Sequence, residues 1–483
     1  MVTSVNLALH STVFINGEWI SGPQENQIVN PANKEIVGTY TVATKEQAVE
    51  AIQSAQAAFL TWKTVPLPER AKVLQAIIVN LKNRKEELAQ MMTLEMGKVL
   101  RESQGEIDVV IQTAEYLSGE GKRAIGEVIP SNFDNRVIQV VREPIGVVSC
   151  ITPWNFPVSL AAYKIFAALI SGNTVVWKPA SEVALSAKVL TDIMFEAGVP
   201  KGVLNLVTGP GSELGQVLTT HKLVKIVAFT GSTEVGIAIS KAASDTLKRV
   251  SLELGGKNAV IVLKDADLEK AVEGIVQSAF ATSGQRCTAT SRVIVEKEVY
   301  ANFMEQLKQK IQQMTLGNGL NPETSMGPIV HEKQLNSIEE DVRTALDEGG
   351  ELFLGGNRRD ELGGFYYEPT VITNVQGDHT IAQKEVFGPV VAVIQVDSYE
   401  EAIEVNNNTE YGLSTSIYTQ NLKQAMQATK DIESGLVYIN SGTSNAEMGV
   451  AFGGTKMSGN GHREVSHHVL DLMTEWKSVY ITY

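Results

Sequence analysis

Cys287 lies in the stretch Phe280-Ala-Thr-Ser-Gly-Gln-Arg-Cys287-Thr-Ala-Thr and is one of 2 cysteines in the chain. The thiolate, not the thiol, attacks carbonyl carbon, and an adjoining cation such as Arg286, together with backbone N–H groups, would lower the thiol pKa. Gly284 and Arg286 argue against a regular core element here; the alternative is that Cys287 is a small buried hydrophobe. Glu253, in the run Val250-Ser-Leu-Glu-Leu-Gly-Gly-Lys-Asn258, would complement a nucleophilic cysteine. Once the thiol carries an acyl group, a carboxylate whose pKa an apolar site moves towards neutrality can accept a proton from water and let the thioester hydrolyse. Without that partner, Glu253 is a charge at a strand edge.

Elements able to position such groups alternate along the chain. Ala48, Ile52, Ala55 and Phe59 recur at helical spacing, and the charged and apolar mixture from about Pro68 to Met96 predicts another amphipathic helix. Val137 to Val141 is a short β-rich run. Apolar strands are expected over 145–151, 174–177, 203–207 and 225–229, separated by helix-length segments, which is the βαβ grammar of a parallel sheet. A further apolar strand is read over 259–263, and a second series after Cys287, with strands over 292–295 and 390–396 and a helix over 298–314, implies a second α/β unit. Two glycine-rich stretches are weak as isolated motifs: Gly209-Pro-Gly-Ser-Glu-Leu-Gly215 has its last glycine one place late for G-x-G-x-x-G, and Gly231-Ser-Thr-Glu-Val-Gly236 lacks a P-loop lysine. Phe229-Thr-Gly-Ser232 nevertheless follows an apolar strand and opens a helical stretch, where exposed N–H groups and the helix dipole favour a phosphate; the alternative is a simple strand-to-helix turn.

At 483 residues, 43% hydrophobic and 20% charged, the chain has material for two or three well-packed domains. A net charge of -14 disfavours nucleic acid or an anionic membrane as a partner. No apolar run approaches the roughly 18 residues of a membrane span. The first ten residues have neither a basic head nor a sustained apolar region, so no signal peptide is expected. Few cysteines, unclustered with histidine, point to a reducing, cytoplasmic setting with no structural metal.

Leu252-Glu-Leu-Gly-Gly256 followed by Gly284-Gln-Arg-Cys287 resembles the paired signatures of the aldehyde dehydrogenase superfamily. Pro153-Trp-Asn-Phe-Pro157, Gly172-Asn-Thr-Val-Val-Trp-Lys-Pro179, Phe229-Thr-Gly-Ser232, Glu385-Val-Phe-Gly-Pro389 and Phe452-Gly-Gly-Thr-Lys-Met-Ser-Gly459 are also family-like, in family order. Gly284-Gln-Arg-Cys-Thr-Ala-Thr-Ser-Arg292 is most similar to the semialdehyde dehydrogenases of the succinic and 2-oxoglutaric type. The resemblance implies an α/β fold with a discontinuous Rossmann-like dinucleotide-binding domain (1–120 and 145–253) and an α/β catalytic domain (254–460). It also implies a small β bridging element (121–144 and 461–483) that builds a homodimer or homotetramer; two unrelated edge strands are the alternative for that element.

The implied reaction oxidises a small-molecule aldehyde to the carboxylic acid with NAD or NADP. Cys287 attacks, Asn155 and the Cys287 N–H stabilise the oxyanion, Glu253 activates water, and Lys164 assists a proton relay or is a plain solvated lysine. Cofactor contacts are implied for Ile151, Thr152, Pro153 and Trp154, for Lys178, Ala180 and Ser181, and for Gly211 and Gly215. Phe229, Thr230, Gly231 and Ser232 would follow at the pyrophosphate, with Leu254, Gly255, Glu385 and Phe387 towards the nicotinamide. Phe156, Tyr163, Arg286 and Thr288 would border the substrate. The chain departs from the family pattern at Ser181, where glutamate is usual in NAD-preferring members, so NADP acceptance is expected. It departs also at Ala167 and Ala451, which replace prolines, and at Tyr163, which replaces tryptophan. Arg286 suggests a short aldehyde carrying an anionic group; the alternative is that it turns outward and makes a structural ion pair. The rival readings are a CoA-acylating enzyme, which generally lacks a glutamate at this position, and a retired structural member of the family.

Overall fold

The computed structural model describes residues 9–123, 126–444 and 446–483. Most of the N-terminal stretch read as leaderless therefore lies outside the described residues, as do two positions of the segment 121–144. The first seven-stranded sheet runs Arg249–Glu253, Val224–Thr230, Val147–Ile151, Thr174–Lys178, Leu204–Leu206, Val13–Ile15, Glu18–Ile20. Its first five strands are parallel and the last two antiparallel. The parallel strands read as continuous apolar runs because helices cover both faces. Register aligns Thr230 with Glu253, Phe229 with Ile151 and Ile151 with Lys178. The carboxyl ends of four strands therefore form one edge, where open α/β sheets bind ligands.

The second seven-stranded sheet runs Glu351–Leu354, Thr370–Thr373, Val390–Val396, Arg292–Glu296, Ala259–Val262, Ser414–Tyr418, Leu436–Ile439, all parallel except the first pair. A third sheet joins the far-separated segments anticipated as strands: Thr474–Thr482 pairs antiparallel with Arg136–Pro144 from Thr474↔Pro144 to Thr482↔Arg136, with Glu127–Ile129 on the other side.

Helix Lys45–Trp62 forms where its periodicity predicts, opened by a capping box between Thr44 and Gln47, with Ala48, Ile52, Ala55 and Phe59 buried. The single helix expected over 68–96 is instead two, Leu67–Asn83 and Lys85–Met96, because Arg84 leaves helical geometry (φ -110°, ψ 17°). There it pairs with Glu87 at 2.8 Å and reaches Glu196 at 3.1 Å. The hydrophobic period continues across the break, so pattern alone does not reveal it.

Candidate active site

Cys287 sits in the connection between helix Leu268–Phe280 and strand Arg292–Glu296. Thr282, Ser283 and Gly284 turn the chain through positive φ (52°, 56° and 68°). A side chain at Gly284 would meet the Gly388 carbonyl, so this left-handed turn also needs glycine for close approach. The Cys287 carbonyl is fixed by Asn258 Nδ2 at 2.7 Å. The side chain is half-buried, against an apolar cluster of Leu436, Phe452 and Val465 joined by Tyr163, Tyr438 and Met448.

On another side Cys287 opens on a cavity of about 270 Å³. Pro153, Trp154 and Asn155, then Thr230, Gly231 and Ser232, then Leu254 and Gly255, with Glu385 and Phe387, line it together with Cys287. Leu160 and Gln334 also line it and were not singled out from sequence. Gln334 donates to the carbonyls of Val386 and Phe387 at 3.1 and 3.2 Å, holding Phe387 in a left-handed conformation (φ 54°), with its ring edge-on to Trp154, centroids 5.5 Å apart. Asn155 is buried, and its Nδ2 donates to the Gln285 carbonyl at 3.0 Å. Thr152 lies beneath, accepting from Trp177 Nε1 at 2.9 Å, and Ile151 ends its strand beside Lys178.

The cavity fits a dinucleotide on its own features. Ser232 caps helix Thr233–Ser244, so a helix N-terminus opens into it. A Cβ at Gly231 would collide with the Phe229 ring, and one at Gly255 with the Glu385 carboxylate. Glu385 accepts from Gly256 N at 3.0 Å, and burial pushes it up to about 7. Lys178 is buried, donates to the Pro179 carbonyl at 3.0 Å, and is pushed down to about 8 by burial, with Glu182 opposing. Ser181 begins a short 3₁₀ turn and lines a separate cavity with Glu182 and His331. Ala180 packs with Trp154 on Met96, Val183 and Val330. Gly211 and Gly215 begin helix Gly211–Thr220 with open space where a Cβ would stand.

Glu253 ends the edge strand of the first sheet and is 3% exposed, so it is not a solvated strand-edge charge. It is absent from the cavity lining, and its Oε1 has no hydrogen-bond partner. A Cβ at Gly453 would stand 2.6 Å from that oxygen, so the Phe452-Gly-Gly segment closes on the carboxylate. Burial, then the Glu464 charge, raises Glu253 well above the usual carboxylate range, while Lys164 and Arg463 oppose. Lys164 is not solvated: its Nζ contacts Glu464 Oε1 and Thr230 Oγ1, each at 2.6 Å, with both charged side chains buried. Glu464 was not anticipated, because nothing local in Arg463-Glu464-Val465 marks it.

These neighbours predict shifts of opposite sign in the pH-rate profile. Removing negative charge with Glu464→Gln should lower the Glu253 pKa and move the rising limb to lower pH, whereas Lys164→Met should move it higher. Lys164→Met should also destabilise the fold by about 3–5 kcal/mol, because Glu464 is left as an unpaired buried charge. Steady-state rates against pH and chemical denaturation read both; shifts of the same sign would separate this cluster from Glu253.

The expectation that Arg286 lowers the thiol pKa is not met. Burial, then the Glu385 and Glu253 charges, pushes the Cys287 thiol up to about 12, opposed by the Thr288 and Cys287 N–H groups. The Arg286 guanidinium instead donates to Thr282 Oγ1 at 3.1 Å, lies 3.6 Å from Glu102 and stands over the Phe156 ring at 5.3 Å. Lys98 Nζ stands 4.0 Å from the same ring and pairs with Glu106 at 2.6 Å. Burial, then the charges of Glu106, Glu464 and Cys287, raises the Tyr163 hydroxyl pKa. The Thr288 carbonyl accepts from Thr443 Oγ1 at 2.7 Å and from Ser444 Oγ at 3.2 Å.

Among the described residues there is no cluster of metal-ligating side chains and no helix long and apolar enough to cross a membrane. The chain is 41% identical to an alpha-ketoglutaric semialdehyde dehydrogenase of Bacillus subtilis, the match covering 100% of this chain and 99% of that protein. It is 36% identical to a succinate-semialdehyde dehydrogenase [NADP(+)] of Escherichia coli, over 95% of each. Its fold matches a betaine aldehyde dehydrogenase from Staphylococcus aureus, solved in complex with NAD+, with a TM-score of 0.95 at 36% identity, covering 98% of this chain and 95% of that one. The profile of the aldehyde dehydrogenase family matches residues 19–479, and with a half-buried cysteine placed between the cavity and an apolar cluster, the chain belongs to the aldehyde dehydrogenase family, whose members oxidise aldehydes with NAD or NADP.

Proposed function

We propose that the protein oxidises a short aldehyde bearing an anionic group, a semialdehyde of the succinate or 2-oxoglutarate type, to the corresponding acid, with water as the acyl acceptor. The observation that carries the hydrolytic reading is Glu253, a buried carboxylate raised well above its usual range with an unpartnered oxygen. A carboxylate so raised takes up a proton more readily than an ordinary one, as a general base must. A CoA-acylating enzyme has no use for it, and a retired scaffold has no use for it together with Cys287, Asn155 and Lys178.

Lys178 would hold the adenosine ribose, Gly231 and Ser232 the pyrophosphate, and Glu385 with Phe387 the nicotinamide end. When bound, the cofactor supplies the two-electron acceptor for the aldehyde C–H. Everything else falls to the chain. The Cys287 thiol gives its proton to solvent water, and the thiolate sulfur bonds to the aldehyde carbon. The oxyanion that forms is met by the Cys287 N–H and by the second N–H of Asn155 Nδ2, whose first is committed to Gln285. Once the acyl group sits on Cys287 as a thioester, Glu253 takes a proton from water, the hydroxide attacks, and the C–S bond breaks to release acid and thiol. Lys164 and Glu464 set the proton affinity of Glu253.

For the substrate, the support is the naming of the relatives and the place of Arg286. Its distance of 3.6 Å to Glu102 is longer than a charge-assisted hydrogen bond, so the guanidinium retains capacity for a substrate carboxylate. Ser181 leaves room for NADP beside NAD, although Glu182 places an acidic group near Lys178 that sequence reasoning overlooked. The three units would be a dinucleotide-binding domain (1–120 and 145–253), a catalytic domain (254–460) and an oligomerisation element (121–144 and 461–483). The exposed Trp476, Tyr480 and Ile481 of that element suit a homodimer or homotetramer, in the cytoplasm.

The test compares succinic semialdehyde with butyraldehyde in the parent and in Arg286→Ala. The parent should favour the anionic aldehyde in kcat/KM, and the variant should lose about tenfold or more on that substrate alone, the value of one charge-assisted contact. A parent without preference would remove the anionic class; a variant that keeps the preference would remove Arg286 as its determinant.

A further inference from the structure

Lys257 follows the Gly255-Gly256 pair that grips Glu385, and the mechanism leaves it unused. It is 2% exposed, and its Nζ has no acceptor among the described residues. Its main chain is clamped: Arg292 Nε and Nη2 donate to the Lys257 carbonyl at 3.2 and 2.8 Å. A buried ammonium without a hydrogen bond is costly, so its retention calls for a compensating partner. The charged groups acting on it are Arg292 from strand Arg292–Glu296, Glu385, and Asp341 from helix Glu332–Asp347. Arg292 repels and is committed to the carbonyls of Lys257, Val405 and Asn406. Asp341 gives one oxygen to Lys384 at 2.6 Å and leaves the other without a partner, but its charge acts on Lys257 less than that of Glu385. Glu385 acts more strongly, a half-buried carboxylate at the cavity wall whose hydrogen bond is to Gly256 N, the residue before Lys257.

We propose that Lys257 is a positioning residue for the cofactor: its ammonium is the counter-charge that keeps Glu385 ionised, and so able to accept the hydroxyls of the nicotinamide ribose. The inference rests on the dinucleotide reading of the cavity. Burial, then Arg292, brings Lys257 down to about 7, and burial brings Glu385 up to about 7, each drawn back towards its charged form by the other. Glu385 therefore protonates as pH falls through about 7. Without Lys257 its pKa rises further, and the acid form, a poorer acceptor, persists to higher pH.

The test is calorimetric titration of NAD and of AMP, which lacks the nicotinamide ribose, into the parent, Lys257→Met, Glu385→Gln and the double variant, across the neutral pH range. Lys257→Met should bind NAD about fivefold more weakly at pH 7, because a rise of about one pKa unit lowers the ionised share of Glu385 from about a half to about a tenth. The pH at which NAD affinity falls should move up, AMP affinity should hold, and Lys257→Met should cost nothing further in the Glu385→Gln background. Equal loss of AMP and NAD, additivity in the double variant, or a folded Lys257→Met with parental NAD affinity would each overturn the inference. Should Lys257→Met not fold, the parent decides: its NAD affinity must fall relative to AMP as pH drops through about 7, and Glu385→Gln must abolish that fall. A parent that binds no NAD would instead overturn the dinucleotide reading itself.

Discussion

Replacing Cys287 by alanine should reduce aldehyde oxidation by at least about 10⁴-fold while leaving dinucleotide affinity within a small factor of the parent, because removing a nucleophile eliminates the covalent route rather than one contact. The Sγ is the only atom at this position that can bond to the aldehyde carbon. The cavity wall behind it is made by other segments, Pro153 to Asn155, Thr230 to Ser232 and Glu385 to Phe387, so the cofactor keeps its site. The second cysteine cannot substitute: Cys150 is wholly buried in its strand, away from the cavity lining. Steady-state assay with parallel NAD titration checks both halves. Substantial oxidation by the alanine variant would move the nucleophile elsewhere.

The second large effect is expected at Glu253. Glu253→Gln should slow steady-state turnover by about 100-fold or more, the usual worth of a general base, while preserving a rapid initial burst of reduced cofactor. An amide accepts no proton from water, so the acyl group should accumulate on Cys287. The sign with pH follows from the raised pKa: the base form is present above the Glu253 pKa and lost below it, so parental turnover should rise with pH through a limb above the ordinary carboxylate range. That limb should be missing from Glu253→Gln. Stopped-flow absorbance reads the burst, and steady-state profiles read the limb; an unchanged profile would reassign the base.

The sequence carried the parallel strands well, because both sheets are covered on both faces and read as unbroken apolar runs such as Val390–Val396. It did not reveal the strands between Leu9 and Val42, which are short or half-exposed and carry no strong pattern, nor the break at Arg84. Residues in compact motifs, such as Asn155, Gly231 and Cys287, which the fold brings to one cavity, are legible as candidates because neighbours within a few positions mark them. Glu464 and Gln334 were missed because their meaning comes from partners far along the chain, Lys164 and the Phe387 carbonyl. The direction of Arg286 was missed for the same reason: its adjacency to Cys287 in sequence suggested a through-space cation, but the side chain points to Glu102, Thr282 and Phe156.

The central claim is a covalent acyl-cysteine released by water. It is tested most directly by acid-quenching Glu253→Gln during turnover with NAD or NADP and succinic semialdehyde, then measuring the intact and peptide masses. The account predicts a protein heavier by one succinyl group, with the added mass on the peptide containing Cys287 and absent from Cys287→Ala/Glu253→Gln. Product formation without any trapped adduct, or an adduct on a different residue, would contradict it.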